Sequence, residues 1–248
     1  MTDSLFSLFQ LLAREYNCSA EAFNLSDNIL TTYPEDVTVR RTVLDDRFFR
    51  MVTTGNNAVI TANEVLHPYL RHFIKDKVGH WLFELPNLLP IERELNGYGY
   101  TLTQTNHQFL SDKSVSPRLN IPVKWLYDRE VTELDRCGLL PNAIQIPEIS
   151  CKRIAVCAMD GNTVMGIAAC HETSPGWMQI GVDVSPAYRS RGIGTYLVTL
   201  LKNRVIEQKH IPYYDTSISN YHSWNIAINS GFKPTWLEIG AVKINKNK

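Results

Sequence analysis

The chain has 248 residues, enough for one large domain or two small ones, and its 44% hydrophobic and 20% charged content is that of a globular protein with a buried core. Its 25 basic residues balance 25 acidic ones, so net charge gives no reason to expect nucleic acid or an anionic membrane as partner. No stretch approaches the roughly 18 consecutive apolar residues of a membrane span, and Cys18, Cys137, Cys151, Cys157 and Cys170 show no CxxC, which suits free thiols in a reduced, cytoplasmic setting.

From the N-terminus, "SLFSLFQLLAREY" repeats apolar residues at helical spacing. Asp3 ahead of it and Arg14 and Glu15 within it argue for an amphipathic helix and against a signal peptide. The β-branched run Asn57 to Thr61 predicts a strand, and Asn63 a cap for a helix over "EVLHPYLRHFIKD", whose Pro68 limits its regularity. His80 to Leu85 reads as a strand. A helix follows, ending near Gly97 and Gly99, then a strand over "TLTQTNHQFL". The polar stretch Ser111 to Pro122 holds two prolines and no period, which predicts a linker. Helical spacing resumes over "KWLYDREVTELDRCGLL".

From Lys152 the pattern is cleaner. Two apolar strands flank Asp160-Gly161-Asn162, and a D-G pair between such runs signals a hairpin. Trp177 to Val184 is a third strand, and Thr195 to Gln208 a helix with one apolar face. "IPYYDTSI" is a strand, "SNYHSWNIAINSGF" a helix closed by Gly231, and "KPTWLEIGAVKI" a final strand. The order β-β-β-α-β-α-β predicts an α/β fold with a mixed sheet. Its hairpin strands pair antiparallel, and a right-handed strand-helix-strand step makes two strands parallel.

The turn into the first of those helices reads Arg189-Ser190-Arg191-Gly192-Ile193-Gly194. Glycines let the backbone approach a ligand closely. A helix start offers unpaired N–H groups and the positive end of a dipole. Together they suit a diphosphate. Alone, the spacing fits a tight surface turn with solvated arginines equally well. A dinucleotide fingerprint wants glycine where Leu197 stands, and a P-loop wants Lys-Ser/Thr where Thr195 and Tyr196 follow Gly194.

These six residues resemble the Arg/Gln-x-x-Gly-x-Gly/Ala signature of the GCN5-related N-acetyltransferases (GNAT). The resemblance runs through "IGVDVSPAYRSRGIGTYLVTLL" and "TSISNYHSWNIAINSGFKP", over about residues 150 to 240. Its C-terminal pattern is most similar to a two-domain bacterial branch that includes a zwittermicin resistance acetyltransferase. The resemblance implies a GNAT fold in the C-terminal half and acetyl-CoA as co-substrate. It implies that the backbone of Val182 and Val184 holds the pantetheine arm. The N–H groups of Arg189, Ser190, Arg191, Gly192, Ile193, Gly194 and Thr195 would cradle the pyrophosphate. Asn220, with Ser223 close behind it, would contact the cofactor arm, although Asn220 equally suits a plain N-cap.

The chemistry so implied is direct attack of an amine on a thioester. It needs a neutral amine, a polarised carbonyl and a proton for the leaving thiolate. Two familiar family groups are missing: Ala227 stands where many members carry a Tyr, and Trp177-Met178-Gln179 where several carry a Glu. Replacement candidates are Tyr213 and Tyr214, of which alternation turns one inward, then Tyr221, His222 and Ser223 at the next helix start, and His171 and Glu172 at a hairpin end. A water-mediated base is a further alternative.

The N-terminal half carries no such motif. "WLFELPNLLPIERELNGYGYTLTQTNHQFL" echoes the C-terminal plan of strand, Asn, helix, Gly-aromatic pair and strand, with Asn87 ahead of Gly99 as Asn220 is of Gly231. Taken as ancestry, the echo makes residues 1–120 a degenerate GNAT-like α/β domain shaping the substrate cleft of an acetyltransferase domain at 121–248. Taken as coincidence, it is two common helix-strand units. His67, His72, His80 and His107 lack metal-ligand spacing, so no metal is expected. The expected protein is a cytoplasmic acetyl-CoA-dependent N-acetyltransferase acting on a primary amine of a small molecule, and a homodimer is compatible with it. Two other readings stay open: protein N-acetylation and, because of Ala227, a non-catalytic CoA-binding or sensing module.

Overall fold

The computed structural model describes residues 3–35, 40, 46–136, 143 and 152–244. Two compact units emerge: Met1–Gln108 with Thr235–Lys248, and Phe109–Pro234. The expectations for Cys137, Cys151 and the last residues of the Lys-rich tail lie outside the described residues.

The first unit opens with α1 (Asp3–Glu15), whose Leu8, Leu11 and Leu12 are buried. β1 (Ile29–Thr31), β3 (Ala58–Ala62) and β2 (Phe49–Thr53) lie in that spatial order; β1 runs parallel to β3, and β2 antiparallel to it. β11 (Lys233–Lys243) pairs antiparallel with β2 and with β4 (Tyr100–Leu102). Asn63 accepts from the Val65 N–H and caps a 3-10 turn, Glu64–Leu66, that leads into α2 (His67–Ile74). Pro68 falls in the first turn of α2, where its missing N–H costs nothing.

Charge is buried inside this unit. Arg40 Nη2 meets Glu15 Oε2 at 2.7 Å and Glu238 Oε1 at 2.6 Å, Arg50 Nη2 lies 3.4 Å from Glu238 Oε1, and Tyr16 donates to Glu238 Oε1 at 3.2 Å. Burial alone would raise the Glu15 pKa, but Arg40 and Arg50 outweigh it and hold the carboxyl below its usual range. Two cations facing two anions keep the group neutral, which offsets a desolvation cost of several kcal/mol per ion.

Three expectations fail here and at the boundary. His80 to Leu85 is not a strand: Gly79–Phe83 is a 3-10 helix and α3 (Leu85–Gly97) begins directly after it. The Leu85-Pro86 pair starts a helix well, since proline belongs in a first turn. Asn87 thus lies inside α3, donating to the Trp81 carbonyl at 2.8 Å, and caps nothing. The single strand expected after α3 is two, β4 and β5 (Asn106–Leu110), broken at residues 103–105. The helix expected from Lys124 begins only at α4 (Arg129–Arg136), because Val123–Tyr127 forms β6. Val123 and Trp125 pack in one apolar cluster and Leu126 in another, as a strand's two faces require, and the run pairs antiparallel with β7 (Arg153–Asp160). Asp128, at φ +40°, turns the chain between strand and helix.

The second unit follows the expected order. β7 and β8 (Thr163–Ser174) form the hairpin, with Gly161 at φ +56° in its two-residue turn. β9 (Trp177–Val184) pairs antiparallel with β8. α5 (Ile193–Glu207) carries the chain to β10 (Ile211–Ser217), which pairs parallel with β9. α6 (Tyr221–Asn229) follows. On one sheet face Ile154, Val156, Ala168, Met178, Ile180 and Tyr214 pack with Leu197, Val198 and Leu201 of α5 and Ala227 of α6. Residues one step out of phase, including Ala155, Cys157, Ile167 and Ala169, form a second cluster with Val131 of α4 on the other face. The stretch read as a linker is tied down: Val115 and Asn203 exchange hydrogen bonds, and Lys202 Nζ donates to the Lys113 carbonyl.

Candidate active site

The site begins where two parallel strands part. The β9–β10 pairing runs from Trp177↔Ile211 to Ile180↔Tyr214 and stops, while β9 stays paired with β8 as far as Val184↔Gly166. Gly181 to Val184 therefore have a strand on one side and an open edge on the other.

The backbone direction along that edge follows from its hydrogen bonds. The Ser185 N–H donates to the Met165 carbonyl on the β8 side at 2.9 Å. The Val184 carbonyl instead accepts from Arg189 Nε at 2.9 Å, and its N–H donates to Asp183 Oδ1 at 3.0 Å. Successive residues of a strand turn their N–H and C=O to alternate sides, so Val184 and Val182 both face the open edge.

Beyond Val184 the chain turns through Ser185 to Gly192 into α5. Ser190 at φ +61° and Gly192 at φ +77° are both left-handed, and such alternation makes consecutive N–H groups converge into an anion-binding concavity. Only glycine adopts that conformation without strain, which accounts for Gly192. Gly194 has a packing reason: a Cβ there would lie 2.9 Å from Cδ1 of Ile226 on α6. Ile193 and Gly194 are buried, Thr195 is half-buried, and Arg189, Ser190 and Arg191 are exposed. The arginines have protein partners: Arg189 reaches back to Val184, and Arg191 lies over the Tyr188 ring at 5.4 Å.

The helix-side face of the parting brings three of the predicted residues together. Tyr214, the last residue paired with β9, shares a 2.6 Å hydrogen bond between its hydroxyl and Ser223 Oγ. Asn220 accepts from the Ser223 N–H at 3.1 Å and caps α6. Burial pushes the Tyr214 phenol up to about 12, against the lowering effect of Ser223, so it stays protonated at neutral pH.

On the opposite face Tyr213 is buried too, its hydroxyl 3.0 Å from Thr173 Oγ1 and 3.2 Å from Gln179 Oε1. Both tyrosines are thus internal, one per face. Gln179 Nε2 donates to Asp215 Oδ1 at 2.7 Å. Gln179 was named only within the Trp177-Met178-Gln179 stretch where several family members carry a Glu, and Asp215 was not singled out. Asp215 stands two residues along β10 from Tyr213, and period two is the signal that finds it.

The remaining candidates are not drawn in. Glu172 Oε1 accepts from the Gly176 N–H at 2.8 Å and closes the β8–β9 turn. Tyr221 is 72% exposed, and His222 is exposed beside it. His171 is buried, and desolvation with the nearby Arg153 charge pushes its pKa down to about 4. Ala227 lies in the core with 0% exposure, so no tyrosine fits there. An open strand edge, a concave loop and a helix start in sequence fit an elongated ligand with an amide-bearing arm and an anionic end. Among the described residues no helix is long and apolar enough to cross a membrane.

Residues 124–232 match the model of the Acetyltransferase (GNAT) family. Members of that family take an acetyl group from acetyl-CoA. Solved structures resemble the chain in fold. One is an acetyltransferase from the GNAT family of Colwellia psychrerythraea (13% identity, TM-score 0.42, 56% of each chain covered). A second is a GCN5-related N-acetyltransferase of Kribbella flavida (13%, TM-score 0.45, covering 64% of this chain and 65% of that one). A third is a tandem GNAT protein from the clavulanic acid biosynthesis pathway, solved without AcCoA (9%, TM-score 0.44, covering 62% and 58%). The chain thus spans less than two thirds of each of these three. No curated protein matches the sequence.

Proposed function

We propose that this chain, with its GNAT-type domain over residues 124–232, transfers an acetyl group from acetyl-CoA to a primary amine of a small molecule. The observation that carries the reading is the parting of β9 and β10 after Ile180↔Tyr214, at the end that leads into the Arg189–Gly194 loop. A cofactor arm laid along Val182 and Val184 would complete the sheet where β10 departs. Its pyrophosphate would lie against the N–H groups from Arg189 to Thr195, with Arg189 and Asp183 giving up Val184 to it. Four residues of strand cover about 13 Å, so the acyl end would come to the parting itself, beside Tyr214. There the Tyr214 hydroxyl is the group best placed to protonate the leaving sulfur, with Ser223 orienting it.

Residues 1–120 form, in this reading, a second domain. The buried Ala227 favours one competing reading, a CoA-binding module without turnover. Titrating the purified protein with acetyl-CoA in a thermal shift, then following free thiol release with a panel of small amines, separates them. The expected result is a higher melting temperature with acetyl-CoA and thiol release that depends on amine. Binding without thiol release for any amine would support the module, and no shift at all would refute the cofactor assignment.

A further inference from the structure

Residues 111–122 lie ahead of the family match at 124–232 and outside every motif read from the sequence, yet they are fastened to both ends of α5. Near the end of the helix, buried Lys202 donates to the Lys113 carbonyl and Asn203 exchanges two hydrogen bonds with Val115. Ser111 Oγ donates to the Gly231 carbonyl at 3.0 Å, and a Cβ on Gly231 would come within 2.6 Å of Val115 Cγ2. At the start of the helix, the Tyr196 hydroxyl accepts from the Ile121 N–H at 3.3 Å and donates to the Ile121 carbonyl at 2.9 Å. The Tyr196 N–H in turn closes the first turn of α5 on the Gly192 carbonyl at 3.0 Å.

Leu119 reaches further, to the loop itself. Its Cδ1 lies 3.6 Å from where a Cβ on Gly192 would stand, and among the described residues no other atom beyond the adjoining ones comes within 4 Å of that point. Leu119 and Ile121 are half-buried while Arg118 and Asn120 are exposed, so the two apolar residues face the helix. Together they bracket the turn whose N–H groups make the concavity, one at Gly192 and one at Tyr196. Gly192, at φ +77°, is where the chain bends into that turn. A glycine has no side chain to anchor it and loses more freedom on ordering than any other residue. The neighbour that confines it is Leu119.

We propose that residues 111–122 are a clasp that holds the Arg189–Thr195 concavity in its anion-binding conformation, with Leu119 and Tyr196 as positioning residues that act through Gly192. The assignment rests on the acetyl-CoA reading above. Such coupling is reciprocal: a clasp that favours cofactor binding is itself tightened by bound cofactor, by the same factor.

The test uses the full-length protein and acetyl-CoA. By calorimetry, Leu119→Ala is expected to weaken the Kd for acetyl-CoA about 5-fold or more, and Leu119→Met, which conserves volume, to restore it. Tyr196→Phe removes only the hydroxyl and is expected to weaken binding in the same direction, so it decides the matter should Leu119→Ala not fold. Hydrogen exchange read by mass spectrometry is expected to slow over residues 111–122 when acetyl-CoA saturates the wild type, and to slow less in Leu119→Ala. Each is measured well below the melting temperature of the variant, where a loss of stability alone moves neither. A wild-type Kd in folded Leu119→Ala, or exchange over 111–122 that ignores acetyl-CoA, would overturn the clasp while leaving the cofactor reading intact. Failure of the wild type to bind acetyl-CoA at all would remove the cofactor reading, and the clasp with it.

Discussion

Neighbouring residues of the site do opposite work because a strand has two faces. Tyr213 and Tyr214 are adjacent and chemically identical, yet one ends a polar chain to Gln179 and the other shares a bond with Ser223. No residue-type rule separates them; only the register with β9 does. His171 shows the same dependence on neighbours. It sits opposite Arg153 on β7 and Gln179 on β9, and desolvation with the Arg153 charge keeps it neutral down to about pH 4. Unfolded, it takes up a proton near pH 6.5. Between those values the unfolded chain binds the extra proton, so stability falls as pH drops through that window, by on the order of 3 kcal/mol at most. Urea unfolding at pH 7.5 and pH 5 is expected to show a smaller gap for His171→Gln than for the wild type. An equal gap in the two would show that the imidazole is not held neutral.

At the scale of elements, α5 and its entry loop were legible and their reasons were not. The glycines were read as clearance for a ligand, but Gly192 is required by its positive φ and Gly194 by Ile226. A turn can satisfy both demands at once, which is why spacing alone did not choose between them. The packing half is testable by itself. Gly194→Ala presses on the flexible end of Ile226, and Ile226→Val removes the atom pressed upon. A double-mutant cycle in urea is expected to show favourable coupling of about 0.5 kcal/mol or more; strict additivity would remove the packing explanation. Elsewhere, strands were misread where short apolar runs carry no period. His80 to Leu85 lacks one, and Leu85-Pro86 outweighed its apolar content by starting a helix. Lys124 to Tyr127 merged with a true helical pattern because Asp128, which separates them at φ +40°, looks like any polar residue.

Over the whole molecule, the clean β-β-β-α-β-α-β run made the C-terminal fold legible. The return of Thr235–Lys248 to the first unit was not legible, since alternation marks a strand without naming the strand it pairs with. Nor was the buried quartet of Glu15, Arg40, Arg50 and Glu238, whose members lie up to 223 positions apart and meet only in the fold. The Gln179–Asp215 hydrogen bond was hidden for the same reason, since the two become neighbours only through the parallel pairing.

The open edge of β9 also bears on solubility. Unpaired N–H and C=O groups along a strand are a template on which another chain can add itself, and natural proteins blunt such edges with charge. Arg189 and Asp183 do so here by occupying the carbonyl and the N–H of Val184. Removing both side chains, as Arg189→Ala with Asp183→Ala, is expected to leave a folded protein that self-associates on concentration, and acetyl-CoA is expected to disperse it. Dynamic light scattering reads both, and a variant that stays monodisperse without cofactor would show the edge to be harmless. Without those two side chains a shortage of cofactor would then cost the protein its dispersal, and Arg189 and Asp183 are the safeguard that the native chain carries against it.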